Sequence, residues 1–403
     1  MNLGQSNSNI NIVFLLIFLV VVVIAGFAVG AAVTPIVFPP AAAAEAENVD
    51  SLFQTFLSIG TAIFLLVEGL LVYSIIRYRH RPGDDGDAQP IHGNAMLEIV
   101  WTIIPALLVI FLSLISYDVW TRNQEVKAQE NIVNGQEIEV RAVAQRFAWT
   151  FEYEAPETVT NFRGEDVPIL IKDNTLHTYV GQNVHLTIQS LDVNHAFWVP
   201  AMRLKQDALP GYVADLRFRP TLASYEGEFD PDPEKLNEQS YPVVCAELCG
   251  GGHGEMVARI VVHPSEEAML SAFWDNSVEN FIRIAQTNPV EAGREIIQNY
   301  PCFSCHTLDD LGWAGVIGPA LTGIGDRAGE RIEGVSAEEY LVRSIYFPDE
   351  FIVNGFQNQM PPFRSSMSAD DLEGIVAYLC AQTSSGESAC DLEHLTEIVN
   401  EYR

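Results

Sequence analysis

The sequence predicts a multidomain chain: an N-terminal transmembrane helical hairpin, an all-β Greek-key sandwich, then an all-α domain. Three observations predict it. Apolar runs near 11–38, 52–76 and 97–118 are long enough to cross a bilayer. Short alternating runs rich in aromatic and β-branched residues, punctuated by Gly and Pro, occupy 135–263. Beyond residue 288 the segment SADDLEGIVAYLC reads as an amphipathic helix. The expected boundaries are 1–44, 45–122, 123–264, a linker 265–288, 289–384 and a polar C-terminal tail 385–403.

The chain has 403 residues, enough for two to three domains, and a net charge of -31. That charge excludes a nucleic-acid partner, which would need a basic footprint. Four of the six cysteines fall in ligand-like pairs, 245/249 and 302/305. The other two, Cys380 and Cys390, are open to a disulfide in an oxidising compartment or to free buried thiols.

Residues 11–38 end in PPAAAAEAE, a small-residue segment that reads as the end of a cleaved signal peptide. A retained extra membrane helix is the alternative, since the leading residues lack positive charge. Arg77, Arg79 and Arg81 cluster after the next span and place the loop that follows in the cytoplasm, with both long flanks outside. Glu68 within that span is expected to face protein rather than lipid, as a functional group or as a polar packing contact.

The densest chemistry lies in YPVVCAELCGGGHGEM, residues 241–256. Cys245, Cys249, His253 and Met256 offer two thiolates, an imidazole and a thioether, and His195 lies upstream in LDVNHAFWVP. Soft sulfur donors with imidazole suit copper, and five donors exceed what one copper needs, which points to a sulfur-bridged pair. Zinc fits the composition less well because a structural zinc loop has no use for methionine. A Cys245–Cys249 disulfide would leave the histidines and Met256 unexplained.

Cys245-x-Glu247-x-Cys249-x3-His253-x2-Met256 with His195 resembles the dinuclear CuA loop of cytochrome c oxidase subunit II. The resemblance implies a cupredoxin-like sandwich in which Cys245 and Cys249 bridge the coppers and His195 and His253 cap one each. Met256 and the Glu247 carbonyl would complete the set, and the Glu247 side chain would ligate a magnesium facing subunit I. HGNAMLEIVWTIIPA and KQDALPG also resemble that family. By that likeness Glu98 stands at the mouth of a proton path; the alternative is a glutamate favoured at a helix start by the dipole. RFAWTFEY is similar to the family's electron-entry patch, with Phe147 where an entry tryptophan is usual and Trp149 beside it. Trp149 and Phe151 also read as core aromatics.

In the last domain, Cys302-x2-Cys305-His306 is a c-type haem attachment signal. Gly318-Pro319, then Met360-Pro361-Pro362, then the amphipathic helix, resemble class I cytochrome c. That implies His306 and Met360 as axial ligands, with the Pro319 carbonyl holding the His306 ring. Met367 is the competing axial candidate.

Nine histidines are present, none in the apolar centre of a span, so oxygen chemistry must sit on another subunit. His177, His185 and His263 read as strand histidines and His394 as part of the tail. The reading is an oxidase subunit II with a fused cytochrome c, in a bacterial plasma membrane, its copper and haem domains outside. It would pass electrons from an upstream donor through haem c and CuA to subunit I, which reduces oxygen and pumps protons, with subunit III alongside. A nitric oxide reductase subunit and a tethered electron carrier are the alternatives.

Overall fold

The structure, a computed structural model, describes residues 8–80, 83, 93–125, 137–161, 164–364 and 366–402. Arg81, His92 and most of the loop around them lie outside the described residues. Residues 1–131 and 132–403 form two separate units.

The first unit holds α1 (Ser8–Val37), α2 (Ala46–Tyr78) and α3 (Ala95–Glu125). Each contains a stretch long and apolar enough to cross a membrane. On α1 the buried positions recur every fourth residue, at Val22, Gly26, Gly30 and Thr34, which puts them on one face. That face meets α2 closely. A Cβ on Gly30 would fall 2.0 Å from Ser58 Oγ, so the approach is open only to glycine. The segment read as a signal peptide is thus a helix packed against α2.

The second unit begins with the sandwich. Its first sheet holds β1 (Ile138–Gln145), β2 (Ala148–Thr160), β3 (Asp166–Asp173), β5 (Val184–Ser190) and β8 (Ala214–Phe218), in the order β3-β2-β1-β5-β8. The second holds β4 (Thr175–Tyr179), β6 (His195–Val199), β7 (Leu204–Ala208), β9 (Tyr241–Cys245) and β10 (Val257–His263), in the order β4-β10-β9-β6-β7. β1–β5 and β4–β10 pair parallel, the mark of crossing between sheets. Strands β4 and β7 are absent from the sequence reading. Both are sheet edges, and β7 (LKQDA) carries the polar residues that blunt an edge and hide its alternation. Trp149, Phe151, Tyr153 and Phe197 are fully buried between the sheets, so Trp149 and Phe151 are core aromatics and not a surface patch.

The segment after β10 is helical, and its Phe273 stacks on His177 with centroids 4.1 Å apart. His177, His185 and His263 all lie on strands. The last domain is built on helices Pro289–Ile296, Ala337–Tyr346, Ala369–Cys380 and Leu392–Glu401, three of them capped at the start by serine or asparagine side chains. The first and third cross closely, since a Cβ on Gly293 would land 1.8 Å from the Gly374 carbonyl oxygen. The segment read as a polar tail contains the fourth helix. Its Leu395, Ile398 and Val399 face the same core as Tyr340 and Leu372, and His394 bonds Glu338 at 2.7 Å. A disulfide joins Cys380 to Cys390, deciding between the two alternatives, and ties that helix to its neighbour.

Candidate metal and haem sites

Strand pairing assembles the first site. Phe197 of β6 pairs with Cys245 of β9, so His195 and Cys245 arrive at the same end of the sheet. The loop after Cys245 folds back until the Cys245 N–H donates to the Met256 carbonyl at 3.1 Å. The donor atoms then converge. Cys245 Sγ is 3.9 Å from Cys249 Sγ and 3.8 Å from His195 Nδ1. Cys249 Sγ is 3.6 Å from His253 Nδ1 and 3.8 Å from Met256 Sδ, and the Glu247 carbonyl oxygen is 3.2 Å from Cys245 Sγ. Both cysteines are free thiols, which removes the disulfide alternative. His195 and Met256 are fully buried, His253 is half-buried, and the Glu247 side chain is exposed.

The electrostatics separate the two sulfurs. Burial alone would raise the Cys245 thiol, but hydrogen bonds from His195 and the Ala196 amide bring it down to about 6. Burial and the neighbouring Cys245 push Cys249 up to about 12. The far nitrogen of His195, Nε2, bonds Asp192 Oδ1 at 2.8 Å, leaving Nδ1 toward the sulfurs. Asp192 is almost wholly buried and also accepts from Val193 N–H at 2.7 Å and from Arg146.

Phe147 packs under this loop. A Cβ on Gly252 would fall 2.6 Å from its ring, so the ring is sealed beneath the copper-loop backbone and only 4% exposed. Trp149 stands edge-on to His195 at 6.2 Å. The sequence could not show that both were buried, because burial of Phe147 depends on a loop a hundred residues away.

The second site is a cavity in the last domain, lined by Cys302, Cys305, His306, Pro319, Met360 and Met367 among apolar neighbours. His306 Nδ1 bonds the Pro319 carbonyl at 2.7 Å, the hold expected for an axial histidine. Burial keeps its imidazole below the ordinary value, so the ring is neutral and able to ligate. A Cβ on Gly318 would meet the ring at 2.6 Å. Cys302 and Cys305 are free and reach the same cavity. Met367 is the more buried of the two methionines and Met360 is nearer the surface. These donors fit a covalently held haem.

Glu98 lies at the start of α3. Its Oε1 accepts from the Asn94 N–H at 3.3 Å while Asn94 Oδ1 accepts from the Leu97 N–H at 3.2 Å, a reciprocal cap.

Three family models match the chain. They are the transmembrane domain of cytochrome c oxidase subunit II over residues 31–119, its periplasmic domain over 138–264, and cbb3-type cytochrome c oxidase subunit III over 288–379. Cytochrome c oxidase subunit 2 of Thermostichus vulcanus is 35% identical over 262 residues, covering 57% of this chain and 75% of its own. The chain belongs to the cytochrome c oxidase subunit II family. The subunit 2 of Alkalihalophilus pseudofirmus is 28% identical over 319 residues, covering 79% of this chain and 82% of its own. The periplasmic domain of subunit II from Bradyrhizobium japonicum is 21% identical, with a TM-score of 0.26, and covers 37% of this chain and 99% of that one. This oxidase subunit II thus carries a fused cytochrome c domain, is membrane-embedded with an extracytoplasmic copper domain, and partners a catalytic subunit I. Copper and haem are the cofactors of its two domain families.

Proposed function

We propose that this subunit receives electrons at its own cytochrome domain and relays them through the dinuclear CuA site to subunit I, where oxygen is reduced to water and protons are pumped. The observation that carries this reading is that the two sites abut within one unit: a Cβ on Gly251 of the copper loop would lie 3.8 Å from Oε1 of Gln359, the neighbour of Met360. When bound, the haem iron and the copper pair each take up and release one electron.

The residues do the positioning. Cys245, Cys249, His195 and His253, with Met256 and the Glu247 carbonyl, are the residues that would hold the coppers. Cys302 and Cys305 would tether the haem, and His306 and Met360 would hold its iron. Phe147 is covered by the loop and so offers no surface to a free carrier, and fusion makes such an entry point unnecessary by raising the donor's effective concentration. The exposed Glu247 side chain would offer a carboxylate to magnesium facing subunit I. Glu68, exposed on α2, is expected to face a neighbouring subunit, and subunit III completes the bacterial plasma-membrane complex. Its Arg77 and Arg79 end of α2 is cytoplasmic, and α1 is retained as a third span, supported by its glycine contact with α2. A separate upstream carrier reduces the haem.

The test is rapid reduction of the haem in the purified full chain while copper absorption is followed. A copper signal that bleaches at a concentration-independent rate is expected. Transfer that scales with protein concentration would defeat the relay.

A further inference from the structure

The turn between β1 and β2 reaches from the copper domain into the cytochrome domain. Gln145 Nε2 donates to the Pro362 carbonyl at 3.3 Å, two residues beyond Met360. The next residue, Arg146, lines the haem cavity beside Cys302 and Cys305. Its other side is fixed. The Arg146 N–H and Nε both donate to Asp192 Oδ2, at 2.9 and 3.0 Å. The second oxygen of the same carboxylate holds His195 Nε2 at 2.8 Å, and His195 Nδ1 faces Cys245.

A series of bonded and hydrogen-bonded groups therefore runs from Arg146, on the wall of the haem cavity, to the copper ligands. Electron tunnelling weakens more steeply across an open gap than along bonded atoms, so a hydrogen-bonded bridge in this gap matters. Charge-assisted bonds of this kind are also the short, orientationally defined ones.

We propose that Arg146 is a positioning residue that couples the two redox sites: held by Asp192, its guanidinium links the tethered haem edge to the imidazole of His195. The inference rests on the intramolecular relay proposed above. Arg146 also places a positive charge next to the haem, which disfavours the oxidised iron and raises its potential.

The experiment uses the full chain in detergent with copper and haem loaded, comparing wild type, Arg146→Gln and Arg146→Lys. Four properties are measured: the haem-to-copper transfer rate, the haem midpoint potential, the copper paramagnetic spectrum, and protease protection of the linker 265–288. In Arg146→Gln the rate should fall about tenfold and the haem potential should drop, with the copper spectrum and linker protection unchanged. In Arg146→Lys the charge and the potential should remain, but the rate should still fall several-fold, because the Nε bond to Asp192 is lost. If Arg146→Gln loosens the domains, Arg146→Lys decides. Transfer within twofold of wild type in a protected variant overturns the coupling. Absence of intramolecular transfer in the wild type overturns the relay itself.

Discussion

Lys172 of β3 donates to Asp371 at 2.8 Å and to the Tyr300 hydroxyl at 2.6 Å, and Tyr300 in turn donates to the same carboxylate at 2.6 Å. The Lys172 side chain is only 7% exposed. Three polar groups thus satisfy one another where the copper domain meets the cytochrome domain, with Asn161 bonding Asp370 at 3.2 Å nearby.

Removing one member leaves the others poorly compensated. Lys172→Met should destabilise domain docking by about 3 kcal/mol. The linker should become readily cleaved by protease and haem-to-copper transfer should slow, while each domain keeps its own spectrum. Unchanged protection would mean that apolar contacts alone hold the domains together.

The two cavity methionines make opposite predictions. Met360→Ala should abolish the low-spin His/Met haem spectrum, whereas Met367→Ala should leave it and cost about 2–4 kcal/mol of stability as a buried core truncation. Absorption and thermal unfolding of both variants separate the roles. The reverse pattern would make Met367 the ligand.

Met256 is buried with Sδ 3.8 Å from Cys249 Sγ. Met256→Leu keeps the volume and removes the sulfur, so the domain should stay folded while copper affinity or potential shifts. An unchanged copper spectrum and potential would strike Met256 from the ligand set.

Glu98→Gln retains an oxygen that can accept from Asn94 N–H and so preserves the helix cap. If Glu98 admits protons, turnover of the assembled oxidase should slow with both redox spectra intact. Full turnover would leave it a capping residue only.

His177 and His263 form a buried pair, with Nδ1 of the first 3.0 Å from Nε2 of the second and Tyr225 bonding His263 at 2.7 Å. Burial lowers His177 to about 3 and His263 to about 4. Both rings fold uncharged, so their stabilisation is present above the unfolded value of about 6.5 and is lost as pH falls toward the folded values. Each should cost about 1.4 kcal/mol per pH unit across that window. His177→Phe should flatten the acid slope relative to wild type in unfolding measured between pH 6.5 and 4. An unaltered slope would mean that the ring is already charged in the fold.

Much of this protein was legible from its residues because its chemistry is carried by local spacing. Cys245-x3-Cys249-x3-His253 and Cys302-x2-Cys305-His306 each place most of their donors within one loop, and a membrane span needs only a long apolar run. The central strands showed because alternation survives where one face is buried. The edge strands β4 and β7, the buried state of Phe147 and the helix at Leu392–Glu401 did not show, since each depends on what a distant segment brings against it. The same holds for Arg146, which the sequence shows only as the first residue of RFAWTFEY. Only the folded chain sets it between Asp192 and the haem cavity, because hydrogen bonds across a domain boundary are a property of packing and leave no periodicity to read.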